Sequence, residues 1–160
     1  MKEKVLKAAK DTGSSFQVIE IDQAFSDTAI FCEKYNFPLS SVVNTILVSS
    51  KKEPKLYCAC VVLATTTLDV NRKVKQLINS RCSFASAEEM NKLTGMQVGA
   101  VTPFGLPPEI SIFVDERVFD EESVILGCGE RSSKLKISPQ AILRLPNSSK
   151  IEGLANPKQI

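Results

Sequence analysis

The stretch FASAEEMNKLTGMQVGAVTPFGLP, residues 84–107, contains a helix start, a helix stop and an exposed loop in direct succession. Ser86 and Glu89 have the spacing of a capping box, in which the serine oxygen accepts one backbone N–H and the glutamate reaches back to another. Thr94 and Gly95 supply a left-handed stop, because glycine adopts a positive φ at little cost. These signals predict a short helix that leads directly into a loop rich in glycine and proline.

That loop, residues 99–105, is the first candidate for chemistry. Gly99, Pro103 and Gly105 fix an exposed backbone that a ligand can approach closely, with consecutive N–H groups directed outward. Such donors bind a phosphate or a developing oxyanion. The loop is neither a P-loop nor a dinucleotide fingerprint, since the lysine and the glycine spacing that those motifs require are missing. A loop that only connects a helix to a strand is the alternative interpretation.

The stretch GCGERSSK at residues 127–134 is the second candidate. Gly127 and Gly129 follow an apolar run and lead to Arg131 and Lys134, a combination that can hold a phosphate through charge-assisted hydrogen bonds. A solvated turn is the alternative interpretation.

A third cluster consists of cations on a predicted helix that begins at Asp69. Apolar residues at helical spacing would face the core and leave Arg72, Lys73 and Lys75 on the outer side. Arg81, which follows the helix, completes the cluster. These cations can contact the phosphates of a nucleic acid, or the three on the helix can simply form its solvated face.

Two apolar runs rich in β-branched residues, VVNTILVS at 42–49 and LYCACVVLA at 56–64, flank a charged turn that contains Pro54. They predict a central hairpin that is buried on both faces. The later strands have short connections, which favours a mixed α+β sheet over a doubly wound parallel one. From Asn147 onward the apolar periodicity disappears, so we expect one domain over residues 1–146 and a mobile C-terminal tail over residues 147–160.

Composition and charge limit the possible functions. The 160 residues are 43% hydrophobic and 24% charged, which suits one domain with a single core. A formal net charge of only +2 excludes a polybasic binder, so any nucleic-acid contact must come from a local patch. The chain has no histidine, which excludes Ser-His-Asp triads, Cys-His pairs and HExxH zinc sites. Any catalysis must therefore use carboxylates, lysine, cysteine, backbone amides or the substrate itself.

The first residues, MKEKVLKAAKD, interleave charges with apolar residues and do not resemble a signal peptide. No apolar run approaches the roughly 20 residues of a membrane span. We therefore expect a cytoplasmic protein without membrane contact. Its five cysteines are an odd number without a CxxC pair, which predicts buried thiols. We expect neither a metal site nor a cofactor.

Two of these stretches, in this order, resemble a known family. Residues 84–107 are similar to the signature of the YbaK/prolyl-tRNA-synthetase-associated domain, and GCGERSSKLKISP at 127–139 resembles its C-terminal stretch. The segments at 42–47 and 63–72 extend the likeness to residues 15–145. The resemblance implies a mixed sheet curled into a partial barrel with helices packed outside. It also implies a trans-editing deacylase, which hydrolyses the ester between a wrong amino acid and the terminal adenosine of tRNA.

The resemblance further implies roles for individual residues. Gly99-x-x-x-Pro103 matches the family's GxxxP loop, whose backbone amides help to hold the ester carbonyl and water. Many members have a lysine, associated with the phosphate of the terminal adenosine, where this chain has Asn44, so Arg131 or Lys134 would have to supply the charge. The implied catalytic residues are Gly99, Ala100, Val101, Thr102, Pro103 and Asn44. The candidates for substrate binding are Thr45, Phe104, Gly105, Gly127, Gly129, Arg131 and Lys134, and those for tRNA binding are Arg72, Lys73 and Lys75.

Three functions are open at this point. The first is a deacylase for a small amino acid, which needs little acceleration because the ester is labile; one oxyanion donor contributes about 2.7–4 kcal/mol. The second is a non-catalytic module that binds tRNA or a synthetase, favoured by Asn44 and the modest net charge. The third is a binder of a small ligand or nucleotide. The expected partners are the acceptor end of an aminoacyl-tRNA and a synthetase, and the expected state is a monomer or homodimer.

Overall fold

The computed structural model describes residues 1–158, which form ten strands, four α-helices and several short 3₁₀ turns. The helices are α1 (Lys2–Asp11), α2 (Thr28–Tyr35), α3 (Lys75–Ile78) and α4 (Ala87–Thr94). The strands are β1 (Phe16–Glu20), β2 (Val43–Ser50), β3 (Tyr57–Leu63), β4 (Thr66–Leu68), β5 (Cys82–Phe84), β6 (Ser111–Asp115), β7 (Val124–Gly127), β8 (Ser133–Ile137), β9 (Ser148–Ile151) and β10 (Ala155–Pro157).

The strands form three sheets. The largest has the order β5-β2-β3-β6-β9, and the others are β1-β8-β7 and β10-β4. In the largest sheet β2 and β3 are antiparallel, whereas β6 is parallel to β3 and β9 is parallel to β6. A parallel bridge between Val42 and Ile125 joins this sheet to the three-stranded one. The expected mixed α+β architecture is confirmed, and over residues 1–158 the sheets do not close into a barrel.

The hairpin of β2 and β3 is the centre of the molecule. Alternate residues of a strand point to opposite faces, and here both faces are covered. Leu47 and Val61 contribute to the main core, and Val48 and Cys60 contribute to a second core on the other face. Val48, Cys60 and Val61 are completely buried. The predicted central hairpin, buried on both faces, is confirmed.

The segment after β4 differs from the single regular helix that the sequence predicts. Asp69 caps it as expected, since its carboxylate accepts the backbone N–H of Arg72 at 3.2 Å. The next turn, Val70–Val74, is a π-turn, in which Val74 N–H donates to the carbonyl of Asp69 at 3.1 Å. Only the following four residues, which form α3, are α-helical.

The C-terminal segment differs from the mobile tail that the sequence predicts. Residues 147–158 were expected to belong to a mobile tail, yet β9 pairs with β6 and β10 pairs with β4. Leu154 and Ala155 are completely buried. The segment adds backbone hydrogen bonds at two sheet edges but only a few apolar side chains, so its sequence has no clear periodicity. Residues 159 and 160, also assigned to the tail, lie outside the described residues.

All five cysteines are free thiols, and four of them are buried, as expected; Cys32 is half-buried. Within residues 1–158, no helix is both long enough and apolar enough to cross a membrane.

Candidate functional site

A cavity of about 230 Å³ lies where β2 separates from the neighbouring strands. At one end of this gap Val42 bridges to Ile125, and at the other end β5 pairs with β2 only from Val48 to Ser50. Among residues 1–158, no strand pairs with the edge of β2 between these two points. The cavity occupies this gap between β2, β7 and the loop that follows α4.

The backbone of Thr45 is directed to that open edge. Val42 O accepts Ala64 N–H at 2.8 Å and Ser50 N–H donates to Leu56 O at 2.8 Å, so the even-numbered residues of β2 bond to β3. Hydrogen-bonded and non-bonded pairs alternate along an antiparallel ladder, so the odd-numbered residues present their N–H and C=O groups to the other side. The carbonyl of Leu47 does so, because it accepts Ala85 N–H at 2.9 Å. Thr45 lines the cavity, and its hydroxyl is buried with no hydrogen-bond partner among the described residues.

The loop after α4 contributes Gly99 and Val101 to the cavity. Gly99 has a φ of +84°, and a Cβ built on it would meet no atom within 4 Å, so open space lies in front of it. Within residues 1–158 the backbone N–H groups of Gly99 and Val101 have no acceptor. The expectation of consecutive outward amides is wrong for Ala100, whose N–H donates to Gln97 O at 3.0 Å. Two N–H groups without an acceptor thus flank one that is occupied.

The second glycine motif, residues 127–134, packs against the loop at residues 99–105. A Cβ on Gly127 would lie 2.6 Å from the carbonyl oxygens of both Ala100 and Val101, so only glycine lets the loop pass. Gly129 N–H donates to Ala100 O at 2.8 Å, and Gln97 N–H donates to Gly129 O at 3.0 Å. These contacts fix the loop against the end of β7.

Lys134, on β8, lines the same cavity as Asn44. The residue is only 7% exposed, its Nζ donates to the carbonyl of Ser26 at 2.9 Å, and it lies 5.4 Å from the centre of the Phe31 ring. Burial lowers the pKa of Lys134, and the nearby carboxylate of Asp27 partly opposes that effect. The cavity therefore contains a buried cation next to Asn44.

The sequence-predicted residues fall into two groups. The cavity brings together six of them, Asn44, Thr45, Gly99, Val101, Gly127 and Lys134. The others do not line it. Thr102, Pro103 and Phe104 are buried behind the loop, Gly105 packs against α1, and Gly129 packs against Met1 and Val5. Arg131 is exposed and its Nε donates to Ser26 Oγ at 3.0 Å, so Lys134 is the candidate cation that reaches the cavity.

Two predicted sets need separate comment. Arg72 and Lys75 lie beyond the far end of β2 from the cavity, next to its last residues. Lys73 is not among the residues that line the cavity. Conversely, the sequence analysis missed Thr28, the first residue of α2, and the apolar lining residues. The missed apolar residues are Val42, Val43, Ile46, Ile125 and Leu126. A hydroxyl directly after the helix cap Asp27 was a usable signal for Thr28, whereas apolar strand residues look the same whether they line a core or a cavity.

The lining of the cavity defines its chemistry. It offers two backbone N–H donors, a buried ammonium group and polar side chains at Thr28, Asn44 and Thr45. No acidic residue is among the residues that line it. In the described part of the chain no three His, Cys, Asp or Glu side chains are grouped so that they could hold a metal ion. Such a site can bind an anion or a polarised carbonyl, but its lining includes no carboxylate or imidazole to act as a general base.

Comparison with known proteins gives the following relatives. The sequence model of the family described as the aminoacyl-tRNA editing domain matches residues 23–145. The uncharacterized protein YwhH of Bacillus subtilis (strain 168) is 28% identical over 72 residues, which cover 45% of this chain and 46% of YwhH. EbsC of Enterococcus faecalis (strain ATCC 700802 / V583), named as a proposed Cys-tRNA(Pro)/Cys-tRNA(Cys) deacylase, is 24% identical over 80 residues, 50% of this chain and 49% of EbsC. The chain thus spans about half the length of each of these relatives.

Solved structures share the fold. The crystal structure of hypothetical protein APE2540 superposes with a TM-score of 0.85 at 24% identity, over 96% of this chain and 99% of that one. A proposed trans-editing enzyme for prolyl-tRNA synthetase superposes with a TM-score of 0.80 at 19% identity, over 94% of each chain. At these identities the likeness shows the fold alone.

Proposed function

The chain belongs to the aminoacyl-tRNA editing domain family, and from that premise we propose that it is a trans-editing deacylase that hydrolyses the ester of a mischarged aminoacyl-tRNA. The residues matched by the family, 23–145, include every residue that lines the cavity. The observation that carries the proposal is that Gly99 and Val101, whose backbone N–H groups have no acceptor among residues 1–158, line the same cavity as Lys134.

In the proposed reaction the ester carbonyl accepts hydrogen bonds from the N–H groups of Gly99 and Val101. Water attacks the carbonyl carbon, and the negative charge that develops on the oxygen strengthens both bonds; one such donor contributes about 2.7–4 kcal/mol. Since no carboxylate or imidazole lines the cavity, the free hydroxyl of the terminal ribose orients the water and relays its proton to the departing ribose oxygen. The ester C–O bond breaks, and the products are the free amino acid and a tRNA with its terminal hydroxyl restored.

The size of the cavity supports a small amino acid as the substrate. Pockets for drug-sized ligands measure about 300–1,000 Å³, so a cavity of about 230 Å³ lies below that range and suits a small aminoacyl group. A second sieve of this kind is useful where a synthetase cannot reject small side chains by binding alone. The name of EbsC, a relative, refers to Cys-tRNA, and cysteine is among the amino acids that would fit.

Lys134 is proposed to hold the phosphate of the terminal adenosine. Asn44 can donate a hydrogen bond but has no charge, and Lys134 lines the same cavity. A charge-assisted hydrogen bond is roughly twice as strong as a neutral one, so the position of the cation matters more than that of the amide. On the same grounds we propose that the partner is the acceptor end of tRNA, presented alone or with a synthetase.

A non-catalytic module that binds tRNA or a synthetase is the second candidate. The observation that favours it is Asn44 at the position of the usual lysine, together with a substitute cation whose pKa is lowered by burial. Such a module would bind the acceptor end without releasing the amino acid.

The deciding experiment measures release of the free amino acid from alanyl-, seryl-, threonyl- and cysteinyl-tRNA. A deacylase should accelerate release from at least one ester about a hundredfold or more over buffer, the contribution of a single oxyanion donor. Release equal to that in buffer for all four esters, with tRNA binding retained, would instead establish the binding module.

Replacement of Gly99 tests the loop. Because a Cβ there meets open space, Gly99→Val should fold, with a loss of about 1–2 kcal/mol from the left-handed backbone. The valine would occupy the space through which the ester reaches the two amides, so kcat/KM should fall at least about a hundredfold. The matched control is Gly13→Val, where φ is +79° and the space is also open but lies far along the chain from the cavity residues. Equal kcat/KM in both variants would remove the loop from the mechanism.

A further inference from the structure

Three cations from separate elements converge at the far end of β2 from the cavity. Lys51 follows β2, Lys75 begins α3 and Arg81 precedes β5, and together they line a depression of about 290 Å³ that we call the cation groove. Lys51 N–H donates to the carbonyl of Arg81 at 2.8 Å, which holds two of the three side chains on adjacent backbones. Convergence from three elements is more specific than a run of lysines along one helix.

The charges of the cation groove are not neutralised within the protein. Among residues 1–158 no carboxylate lies within ion-pair distance of Lys51, Lys75 or Arg81, and all three are exposed. The neighbouring Arg72 differs, because its Nε lies 4.0 Å from the carboxylate of Asp69. A local excess of positive charge on a protein with a net charge of only +2 favours an anionic partner at this place.

An exposed aromatic side chain lies on the same sheet edge. Phe84 is 62% exposed on β5, the edge strand of the five-stranded sheet, and it pairs in register with Val48. Every nucleobase has a π-face that can stack on an aromatic ring, and such platforms beside cationic grooves are typical of sites for single-stranded nucleic acid.

The cavity, Phe84 and the cation groove follow one another along β2. A strand advances about 3.3 Å per residue, so the partner of Phe84 lies about 13 Å from Asn44, and Lys51 lies about 23 Å from Asn44. At about 3.4 Å per stacked nucleotide, 23 Å corresponds to about seven nucleotides. That distance extends past the unpaired end of a tRNA and into its first base pairs.

We propose that this edge of the sheet is a second RNA-binding site, in which Phe84 stacks on an unpaired base near the ester and the cation groove binds backbone phosphates of the acceptor stem. The proposal rests on the proposed function in one respect. Because the ester is placed in the cavity, the RNA runs from the cavity along β2 towards the cation groove. It assigns RNA contact to Lys51, which the sequence pattern did not single out, and retains Lys75 and Arg81 of the predicted cluster.

The test of the phosphate contacts uses Lys51→Gln combined with Arg81→Gln. The control is Lys10→Gln combined with Lys150→Gln, which removes the same charge from α1 and from the opposite edge strand β9. Binding of tRNA that carries no amino acid is measured by fluorescence anisotropy at several salt concentrations. Each lost phosphate contact contributes about 0.9 to the slope of log affinity against log salt, so the first double variant should flatten the slope by about 2 and the control should leave it unchanged. Equal slopes in the two variants would overturn the proposal.

The test of position compares two substrates, an aminoacyl-tRNA and an aminoacylated CCA trinucleotide. The double variant Lys51→Gln/Arg81→Gln, the groove variant, should raise KM about fivefold for the tRNA without a change in kcat. It should leave KM for the trinucleotide unchanged. Phe84→Ala should raise KM about fivefold or more for the tRNA, and Phe84→Tyr should restore the wild-type value. A groove variant that raises KM equally for both substrates would overturn the assignment to the stem.

These readouts separate the two proposals. If the wild-type protein hydrolyses neither substrate, the proposed function fails, while the salt dependence of tRNA binding still decides the RNA site. A poly-glutamate peptide that binds the groove as tightly as the tRNA does would identify a general site for acidic protein surfaces and would overturn the assignment to RNA.

Discussion

At the scale of single residues, Gly127 controls the position of the loop that carries the free amides. Gly127→Ala would place a Cβ 2.6 Å from the carbonyl oxygens of Ala100 and Val101, and both are backbone atoms that cannot rotate away. The loop must move, and a displacement of about 1 Å at a catalytic group can reduce the rate about a hundredfold. We expect kcat for the best ester substrate to fall by that factor, with a loss of about 1–3 kcal/mol in the free energy of unfolding.

Gly13→Ala is the matched control for Gly127→Ala. Its Cβ meets no atom within 4 Å, and its φ of +79° makes the substitution strained for a reason unrelated to the loop. It should reduce stability and leave kcat unchanged. A Gly127→Ala enzyme that unfolds more readily but retains wild-type kcat would show that the support of the loop is only structural.

Lys134 allows a second prediction at the residue scale, measured by binding alone. If it holds the phosphate of the terminal adenosine, the protein should bind adenosine 5′-monophosphate about ten- to a hundredfold more tightly than adenosine, the contribution of a hydrogen bond to a charged group. Lys134→Met should abolish this preference. Lys136→Met, on the same strand but outside the cavity, should retain it. An unchanged preference in Lys134→Met would exclude this lysine from phosphate binding.

At the scale of elements, the start of α4 is tied to the central hairpin through Glu89. Its carboxylate accepts hydrogen bonds from the hydroxyl of Tyr57 at 2.8 Å, from Ser86 N–H at 3.2 Å and from Lys55 Nζ at 3.3 Å. These bonds, with that from Tyr57 the largest cause, lower the pKa of Glu89 to about 2. The capping box was visible in the sequence, but the bond from a tyrosine 32 residues away was not.

The lowered pKa of Glu89 predicts how stability depends on pH. A carboxylate whose folded pKa lies below its unfolded value contributes stability above the unfolded pKa, and this contribution is lost as pH falls towards the folded pKa. The free energy of unfolding of the wild type should therefore decrease from about pH 5 to pH 2. The free energy of unfolding of Glu89→Gln should decrease less over the same range. Urea unfolding at pH 6 and pH 3 measures this difference. The control Glu88→Gln, whose carboxylate makes no ion pair or hydrogen bond among the described residues, should behave as the wild type. If the free energy of unfolding of Glu89→Gln fell as much as that of the wild type between pH 6 and pH 3, the role of the hydrogen bonds to Glu89 would be contradicted.

Local signals predicted the elements that depend on adjacent residues. The cap at Asp69, the capping box before α4 and the buried hairpin each follow from residues close together in the chain. The gap at the edge of β2 does not, because it depends on β5 ending its pairing at Val48 while β7 meets Val42. For this reason the sequence predicted Asn44 and Thr45 only through the family resemblance, and it did not predict the apolar residues beside them.

At the scale of the whole molecule, β2 connects the cavity to the cation groove, and the C-terminal segment closes the face behind it. Leu154 is completely buried and belongs to the same core as Val48 and Val74, while its carbonyl accepts Asp69 N–H at 3.0 Å. The sequence could not predict this, since Ile151, Leu154 and Ala155 follow neither a helical nor a strand period. The second core thus includes residues that lie after the matched residues 23–145.

Leu154→Ala tests whether this segment belongs to the folding unit. Removal of a fully buried leucine side chain costs about 2–5 kcal/mol, and each kcal/mol lowers the Tm of a domain of this size by about 2–4 °C. We expect a decrease in Tm of about 4–20 °C, measured by circular dichroism. Leu56→Ala is the matched control, because Leu56 is 55% exposed and its truncation should change stability by no more than about 0.5 kcal/mol. If residues 147–158 were a detached tail, Leu154→Ala and Leu56→Ala would have the same Tm. A large difference in Tm requires that Leu154 holds β10 against the second core, on the face of β2 that leads to the cation groove.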